Sequence, residues 1–445
     1  MPGNLDTAVS DLFLIRLASW LKARLYCADP VRNQEKLLAS LLRKNVHTVF
    51  GKKHSFSSIR SARQFLERVP SQSYEDLRSG IELLWSGAQD VLFPGQPVCF
   101  GLTSGTAGEA KLIPYNKTLL GSSRRTAIEA ALLAGLQHGS LGWHHGKTLY
   151  IGPRQGIHAA GWTVFKEGTA FAYRQARPLR ARFIPKYEAL PAPHEPLDFS
   201  SFEQLAQKHR VTVVAGNPLD IASFARQTGA IMPAVEIVFN CGYWARDLMY
   251  IYGKTFPNAQ VIDVYGSNEG TYGLPLSTGL FLLNYRRIFF SFRALRAGAV
   301  AIDLGQVSLK TKYHLCVTTP GGFWNYMTGD VVSFVSLRPP VVRLCGRARH
   351  MLPLADGWLT ENEVVDTYRQ FDILGDDYFI SPGYNEYILN VNKTGVDALA
   401  VDTYLGKVNP QYGRLRESGQ LKPLLVRPIS SERSSTAKLP RIIPG

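Results

Sequence analysis

The sequence predicts an α/β protein whose main body is a largely parallel sheet covered by helices, followed by an additional β-rich part. Two observations predict it. Between residues 148 and 265 short β-branched runs alternate with runs of helical period, and from about residue 285 mainly strand-like runs remain. At 445 residues and 45% hydrophobic, the chain can bury enough apolar surface for two or more domains.

The first hundred residues read as helices. Residues 12–26 are apolar but broken by Arg16, Lys22 and Arg24, which argues against a membrane span or a signal core and predicts an amphipathic helix packed on the body. Leu37, Leu38, Leu41, Leu42 and Val46 repeat at helical spacing, and Ser73 stands where it would cap a helix running to Trp85. A strand at 98–102, a glycine-rich loop, a short continuation at 112–114 and a long helix over 116–136 follow. Strands are then expected at 148–152, 211–215, 235–240 and 261–265, with helices at 202–208 and 220–227. The β-rich runs are 287–292, 313–318, 331–335 and 341–344, and 430–437 reads as a loose loop.

Composition narrows the function classes. Cys27, Cys99, Cys241, Cys316 and Cys345 form no Cys-x-x-Cys pair and no cluster with histidine, which argues against zinc and a disulfide framework and suits a reducing, cytoplasmic compartment. The formal charge of +15 would suit nucleic acid, an anionic membrane face or small anionic ligands. Lysine and arginine are spread along the chain without an aromatic-interleaved basic block, so nucleic acid is not expected.

Three stretches carry chemistry. In Phe100-Gly-Leu-Thr-Ser-Gly-Thr-Ala-Gly-Glu-Ala-Lys-Leu-Ile-Pro114, Ser104, Gly105, Thr106, Gly108 and Lys111 are the residue types that wrap a phosphate: glycines turn N–H groups inward, hydroxyls add donors and the lysine adds charge. An ordinary polar turn has the same composition. In Val261-Ile-Asp-Val-Tyr-Gly-Ser-Asn-Glu-Gly270, a strand ends in Tyr265 and the turn Gly266, Ser267, Asn268, Glu269 offers a hydroxyl, an amide and a hard carboxylate. The other reading puts Glu269 in the first turn of a helix. In Tyr326-Met-Thr-Gly-Asp-Val-Val332, Asp330 follows a glycine turn and can accept from paired hydroxyls, or simply close a turn.

The order of these stretches, with Gly346-Arg347 behind them, resembles the adenylate-forming superfamily of acyl-CoA synthetases, luciferases and peptide-synthetase adenylation domains. More closely, it is similar to the auxin-responsive (Gretchen Hagen type) acyl acid amido synthetases of plants. That similarity extends to Val69-Pro-Ser-Gln-Ser-Tyr-Glu-Asp-Leu77, Leu84-Trp-Ser-Gly87, Ala398-Leu-Ala-Val-Asp402, Asn409, Tyr412, Arg414, Gln420-Leu-Lys-Pro-Leu424 and Lys438-Leu-Pro-Arg441.

The resemblance implies an adenylation domain over 1–345, binding ATP and the acyl acid, and a small mobile α+β domain over 346–445 carrying Lys438. It implies a reaction in which a carboxylic acid is adenylated with ATP and Mg²⁺ and the acyl group passes to an amine or amino acid. Ser104, Thr106 and Lys111 would hold phosphates, with Gly105 and Gly108 allowing the approach. Tyr265 would stack near adenine beside Gly266, Ser267 would contact the α-phosphate or carboxylate, and Glu269 would bind Mg²⁺. Asp330 would take the ribose hydroxyls, Arg347 would reach ribose or phosphate, and Lys438 would neutralise charge at the α-phosphate. An AMP-forming acyl-CoA ligase and a catalytically silent nucleotide-binding homologue are the alternatives. Asn325 and Met327 stand where the family pattern has an arginine. Trp143, Trp162, Tyr173, Tyr243, Trp244 and Phe323 are aromatic candidates for acyl-pocket walls or core. No membrane insertion is expected.

Overall fold

Local capping sets the helices of the first hundred residues. Asp29 accepts from the amides of Val31 and Arg32 at the start of the helix Pro30–Asn45, whose first residue has no N–H to satisfy. Ser73 and Asp76 form a reciprocal capping box on the helix Tyr74–Trp85, at the position the sequence marks. The computed structural model describes residues 3–102, 111–139, 142–152, 157–165, 182–186, 189–191, 195–241, 248–277, 279–296, 298–355, 357–371, 373, 378–391 and 393–428.

A twelve-stranded mixed sheet organises the chain. Its parallel part runs in the order Phe183–Ile184, Lys147–Ile151, Val211–Gly216, Ile237–Cys241, Gln260–Ser267, joined by crossover helices such as Phe199–Lys208, Pro218–Thr228 and Met249–Thr255. The strand Gln260–Ser267 is the seam: parallel to Ile237–Cys241 on one side, it pairs antiparallel with Gly270–Ser277 on the other. The β-rich stretch expected after residue 285 continues from there as antiparallel strands Leu280–Leu283, Pro340–Arg347, Tyr326–Leu337, Lys312–Thr318, Phe289–Ala294 and Ala301–Asp303. A separate four-stranded sheet holds Cys99–Leu102 and Leu112–Tyr115, the strands on either side of the glycine-rich loop.

Three main cores follow from this layout. The N-terminal helices pack Leu38, Phe65 and Leu84 against Phe289, Phe292, Val317 and Val332 of the antiparallel strands. Leu149, Ile151, Val214, Phe224, Val238 and Tyr252 fill the parallel part. Leu352, Tyr368, Ile380, Leu389, Leu405 and Tyr412 form a core within residues 352–424, where a three-stranded sheet meets the helices Glu361–Gln370, Ala398–Val408 and Pro410–Glu417. The Lys312–Glu363 ion pair, 2.8 Å, and a bond from Trp358 Nε1 to the Leu295 carbonyl join this part to the large sheet.

Burial also sorts the thiols. Cys27 is exposed, whereas Cys99, Cys316 and Cys345 are buried, and burial pushes the Cys316 thiol up to about 12. Thiolate is the reactive form, so native labelling with a disulfide reagent should modify Cys27 while Cys316 stays silent until the chain unfolds. Cys27→Ser should remove that label, as peptide mass mapping would report.

Candidate active site

The site grows from the seam strand. The register pairs Ser267 with Gly270, so Asn268 and Glu269 are the two residues of a hairpin turn at the carboxyl end of a parallel strand. This excludes the helical-turn reading of Glu269. A Cβ at Gly266 would lie 2.6 Å from the Gly270 carbonyl oxygen, so the turn requires glycine there.

The Glu269 carboxylate is only 6% exposed and is held by hydroxyls. Ser267 Oγ donates to it, the Tyr326 phenol hydrogen-bonds it, and Tyr272 Oη lies 2.6 Å from Ser267 Oγ. Burial pushes the Tyr265, Tyr272 and Tyr326 phenols well up, so all three remain protonated donors at neutral pH. Tyr272 and Tyr326 carry no assignment in the sequence reading. The one signal was Tyr326's place at the head of the Tyr-x-Thr-Gly-Asp stretch.

The third stretch meets the second through Asp330. Tyr265 Oη donates to Asp330 Oδ2 at 3.2 Å, and Arg347, its neighbour across two antiparallel strands, places Nε 2.9 Å from Asp330 Oδ1. Gly329, at φ +81°, precedes Asp330, and the strand's register shifts just beyond it, between Val331 and Val332. Burial raises the Asp330 pKa; the Arg347 charge and the Tyr265 phenol oppose that rise without cancelling it. The expected stacking of Tyr265 with adenine meets a buried ring, 5% exposed and packed on Phe281 and Tyr272 at centroid distances of 4.9 and 5.6 Å. Its link to the site in this conformation is the phenol on Asp330.

Asn325 answers the question of the absent arginine. Its backbone adopts φ 46°, its Oδ1 accepts from Ser291, its Nδ2 donates to the Val69 carbonyl, and its own carbonyl accepts from the Gln72 amide. It clasps residues 69–72 onto the strand that carries Asp330. Met327 meets an arginine from the next strand but one, Arg293 Nη1 at 3.8 Å from its sulfur.

At the glycine-rich loop, Leu102 pairs with Leu112, so the two strands pin the loop's ends side by side. Lys111 lies 5.1 Å from the centre of the Tyr74 ring, and the Tyr74 hydroxyl bonds the backbone of Leu112. Ser104, Gly105, Thr106 and Gly108 lie outside the described residues, as do Lys438, Tyr173, Tyr243 and Trp244. Phe323 is a core residue buried beside Tyr326, whereas Trp162 is partly buried against the same core, its Nε1 donating to the Trp85 carbonyl.

Among the described residues no three His, Cys, Asp or Glu side chains converge on a metal position. A single carboxylate of the kind Glu269 offers is compatible with Mg²⁺, which takes one or two carboxylates and completes its octahedron with substrate phosphates and water.

Comparison with known proteins decides the family. A model of the GH3 family N-terminal domain matches residues 22–190 and a model of the GH3 family central domain matches 281–347, together just over half of the chain. The chain belongs to the GH3 family. Over 120 residues it is 32% identical to the probable indole-3-acetic acid-amido synthetase GH3.2 of Oryza sativa subsp. japonica, covering 26% of this chain and 19% of that protein. Over 137 residues it is 29% identical to the indole-3-acetic acid-amido synthetase GH3.2 of Arabidopsis thaliana, covering 29% of this chain and 25% of that one. The matched stretch is thus a quarter or less of these relatives' length. In fold, this GH3 chain is similar to the GH3.15 acyl acid amido synthetase solved with 2,4-DB, at TM-score 0.70 and 15% identity over 92% of this chain and 88% of the other. It is also similar to a 2-hydroxyisobutyryl-CoA ligase, at TM-score 0.60 and 14% identity over 93% and 89%.

Proposed function

We propose that this chain is an ATP-dependent, AMP-forming acid–amine ligase. The observation that carries the reading is the joining of two separate stretches at one sheet seam: Tyr265 holds Asp330 and Tyr326 holds Glu269, in a chain of the GH3 family. A carboxylate at neutral pH is a poor electrophile. Its oxygen therefore first attacks the α-phosphorus of ATP, and the bond to the β-phosphate oxygen breaks with loss of pyrophosphate. The amine nitrogen then attacks the acyl carbon, the bond to AMP breaks, and the nitrogen loses a proton as the amide forms.

In this reading Asp330 accepts the ribose hydroxyls, and Arg347, on the exposed side of the same pair, reaches ribose or phosphate. Ser104, Gly105, Thr106, Gly108 and Lys111 hold the β- and γ-phosphates. Ser267 orients the α-phosphate or the acyl carboxylate, and Glu269 is the ligand for Mg²⁺. When bound, that ion would neutralise charge on the phosphates. Residues 346–445 act as a C-terminal domain that brings Lys438 to the α-phosphate, except that Gly346 and Arg347 end the strand Pro340–Arg347 of the large sheet; a hydrophobic core within 352–424 supports treating the rest as a unit. Substrates are a carboxylic acid and an amine or amino acid.

Acid-dependent exchange of radiolabelled pyrophosphate into ATP tests the first step across a panel of carboxylic acids. Exchange with one or more acids is expected, and its absence across a broad panel would count against the assignment. Nucleotide affinity should also depend on pH. Because burial raises the Asp330 pKa, the ionised acceptor is lost on acidification at a pH above the ordinary carboxylate value of about 4. AMP binding should weaken as pH falls through that raised value, and Asp330→Asn should remove the inflection in a titration followed by calorimetry.

A further inference from the structure

The helix Gly3–Tyr26 is apolar on two sides. Ala18, Leu21 and Leu25 are buried against the body, whereas Leu12, Phe13 and Trp20 face solvent, Phe13 at 64% and Trp20 at 56% exposure. At 3.6 residues per turn, Leu12, Phe13, Arg16 and Trp20 fall within about 100° of arc. One apolar stripe is enough to dock a helix on its domain, so the outward stripe has no role in the fold.

Cations frame that stripe. The Arg24 guanidinium lies 5.1 Å from the centre of the Trp20 ring and the Lys22 ammonium 5.8 Å from that of Tyr26. Between residues 12 and 28 the chain carries Arg16, Lys22 and Arg24 and no acid. Arg286 stands near Arg24, whose charge, after burial, helps lower its pKa. Aromatic and aliphatic side chains bordered by arginine and lysine match the boundary between lipid headgroups and acyl chains.

We propose that this face is a peripheral contact with an anionic lipid bilayer, with Leu12, Phe13 and Trp20 entering the headgroup boundary and Arg16, Lys22 and Arg24 meeting lipid phosphates. The helix lies on the bilayer and does not cross it, since no helix among the described residues is long and apolar enough to span a membrane. A second copy of the chain fits the face less well. A symmetric pairing would set Arg16, Lys22 and Arg24 against their own copies in a protein already at +15. The inference is independent of the proposed ligase activity.

Vesicle sedimentation of the full chain tests it, with phosphatidylcholine vesicles and phosphatidylcholine–phosphatidylglycerol vesicles compared at low and high salt. Binding to the anionic vesicles should exceed binding to the neutral ones by about tenfold or more and fall as salt rises. The double variants Phe13→Ser with Trp20→Ser, and Arg16→Glu with Lys22→Glu, alter only exposed side chains. Each should melt like the parent and lose about tenfold in vesicle binding. Equal recovery on both vesicle types, no recovery on either, or binding indifferent to both variants would overturn the proposal. A dimer seen by light scattering and dispersed by the Phe13→Ser, Trp20→Ser variant would assign the face to a second copy instead.

Discussion

Glu269→Gln is expected to lower acyl-adenylate formation by about 10²–10³-fold while leaving the fold intact. The side chain is almost wholly buried at a hairpin turn, and its negative charge is met by hydroxyl donors from Ser267 and Tyr326. Glutamine fills the same volume, so packing against the seam strand should survive. The charge that would ligand Mg²⁺ is lost, however, and one carboxylate oxygen facing hydroxyl donors becomes an NH₂ group. Pyrophosphate exchange reports the chemical step, and a thermal melt of the same sample separates it from misfolding. Exchange near the parent rate in a folded variant would remove Glu269 from the site.

Trp324→Ala should destabilise the N-terminal core by about 3–5 kcal/mol. Trp324 is 1% exposed, stacks on Phe50 with centroids 5.9 Å apart, meets Phe56 edge-on at 4.7 Å and donates from Nε1 to the Leu92 carbonyl at 3.0 Å. Truncation therefore opens a cavity among aromatic rings and leaves a buried carbonyl without its donor. The position matters for function because Asn325 follows directly, in the left-handed backbone conformation that clasps residues 69–72 to the Asp330 strand. Urea unfolding of parent and variant measures the effect. A loss under about 1 kcal/mol would mean that the neighbouring helices collapse into the space.

Those two residues illustrate how much of the molecule is legible in its sequence. Local signals read well: the Ser73 cap, the alternation of strands and helices between 148 and 265, and the β-rich run after 285 each correspond to an element. Glu269, Asp330 and Arg347 stand out because glycines and strand ends surround them, and those are local features too. Contacts between distant residues are not legible in spacing. Tyr265 bonds Asp330 across 65 positions, and Asn325 reaches Val69 across 256. Hence the ring of phenols around Glu269 and the clasp made by Asn325 emerge only from the fold. Asn325 stands where the family pattern has an arginine, but its fully buried side chain is satisfied by amide geometry, with Oδ1 accepting from Ser291 and Nδ2 donating to the Val69 carbonyl. The joining of the β-rich strands to the parallel ones is likewise a matter of pairing, which strand-like composition does not encode.

A ligase of the proposed kind activates an acid as its adenylate and passes the acyl group to nitrogen on one chain. Mass spectrometry of products tests it directly, after incubation with ATP, Mg²⁺ and a carboxylic-acid panel, in parallel with mixed amino acids and amines or with coenzyme A. AMP together with a new amide is expected in the amine reaction. AMP together with a thioester, and no amide with any amine, would contradict it and place the chain among acyl-CoA ligases.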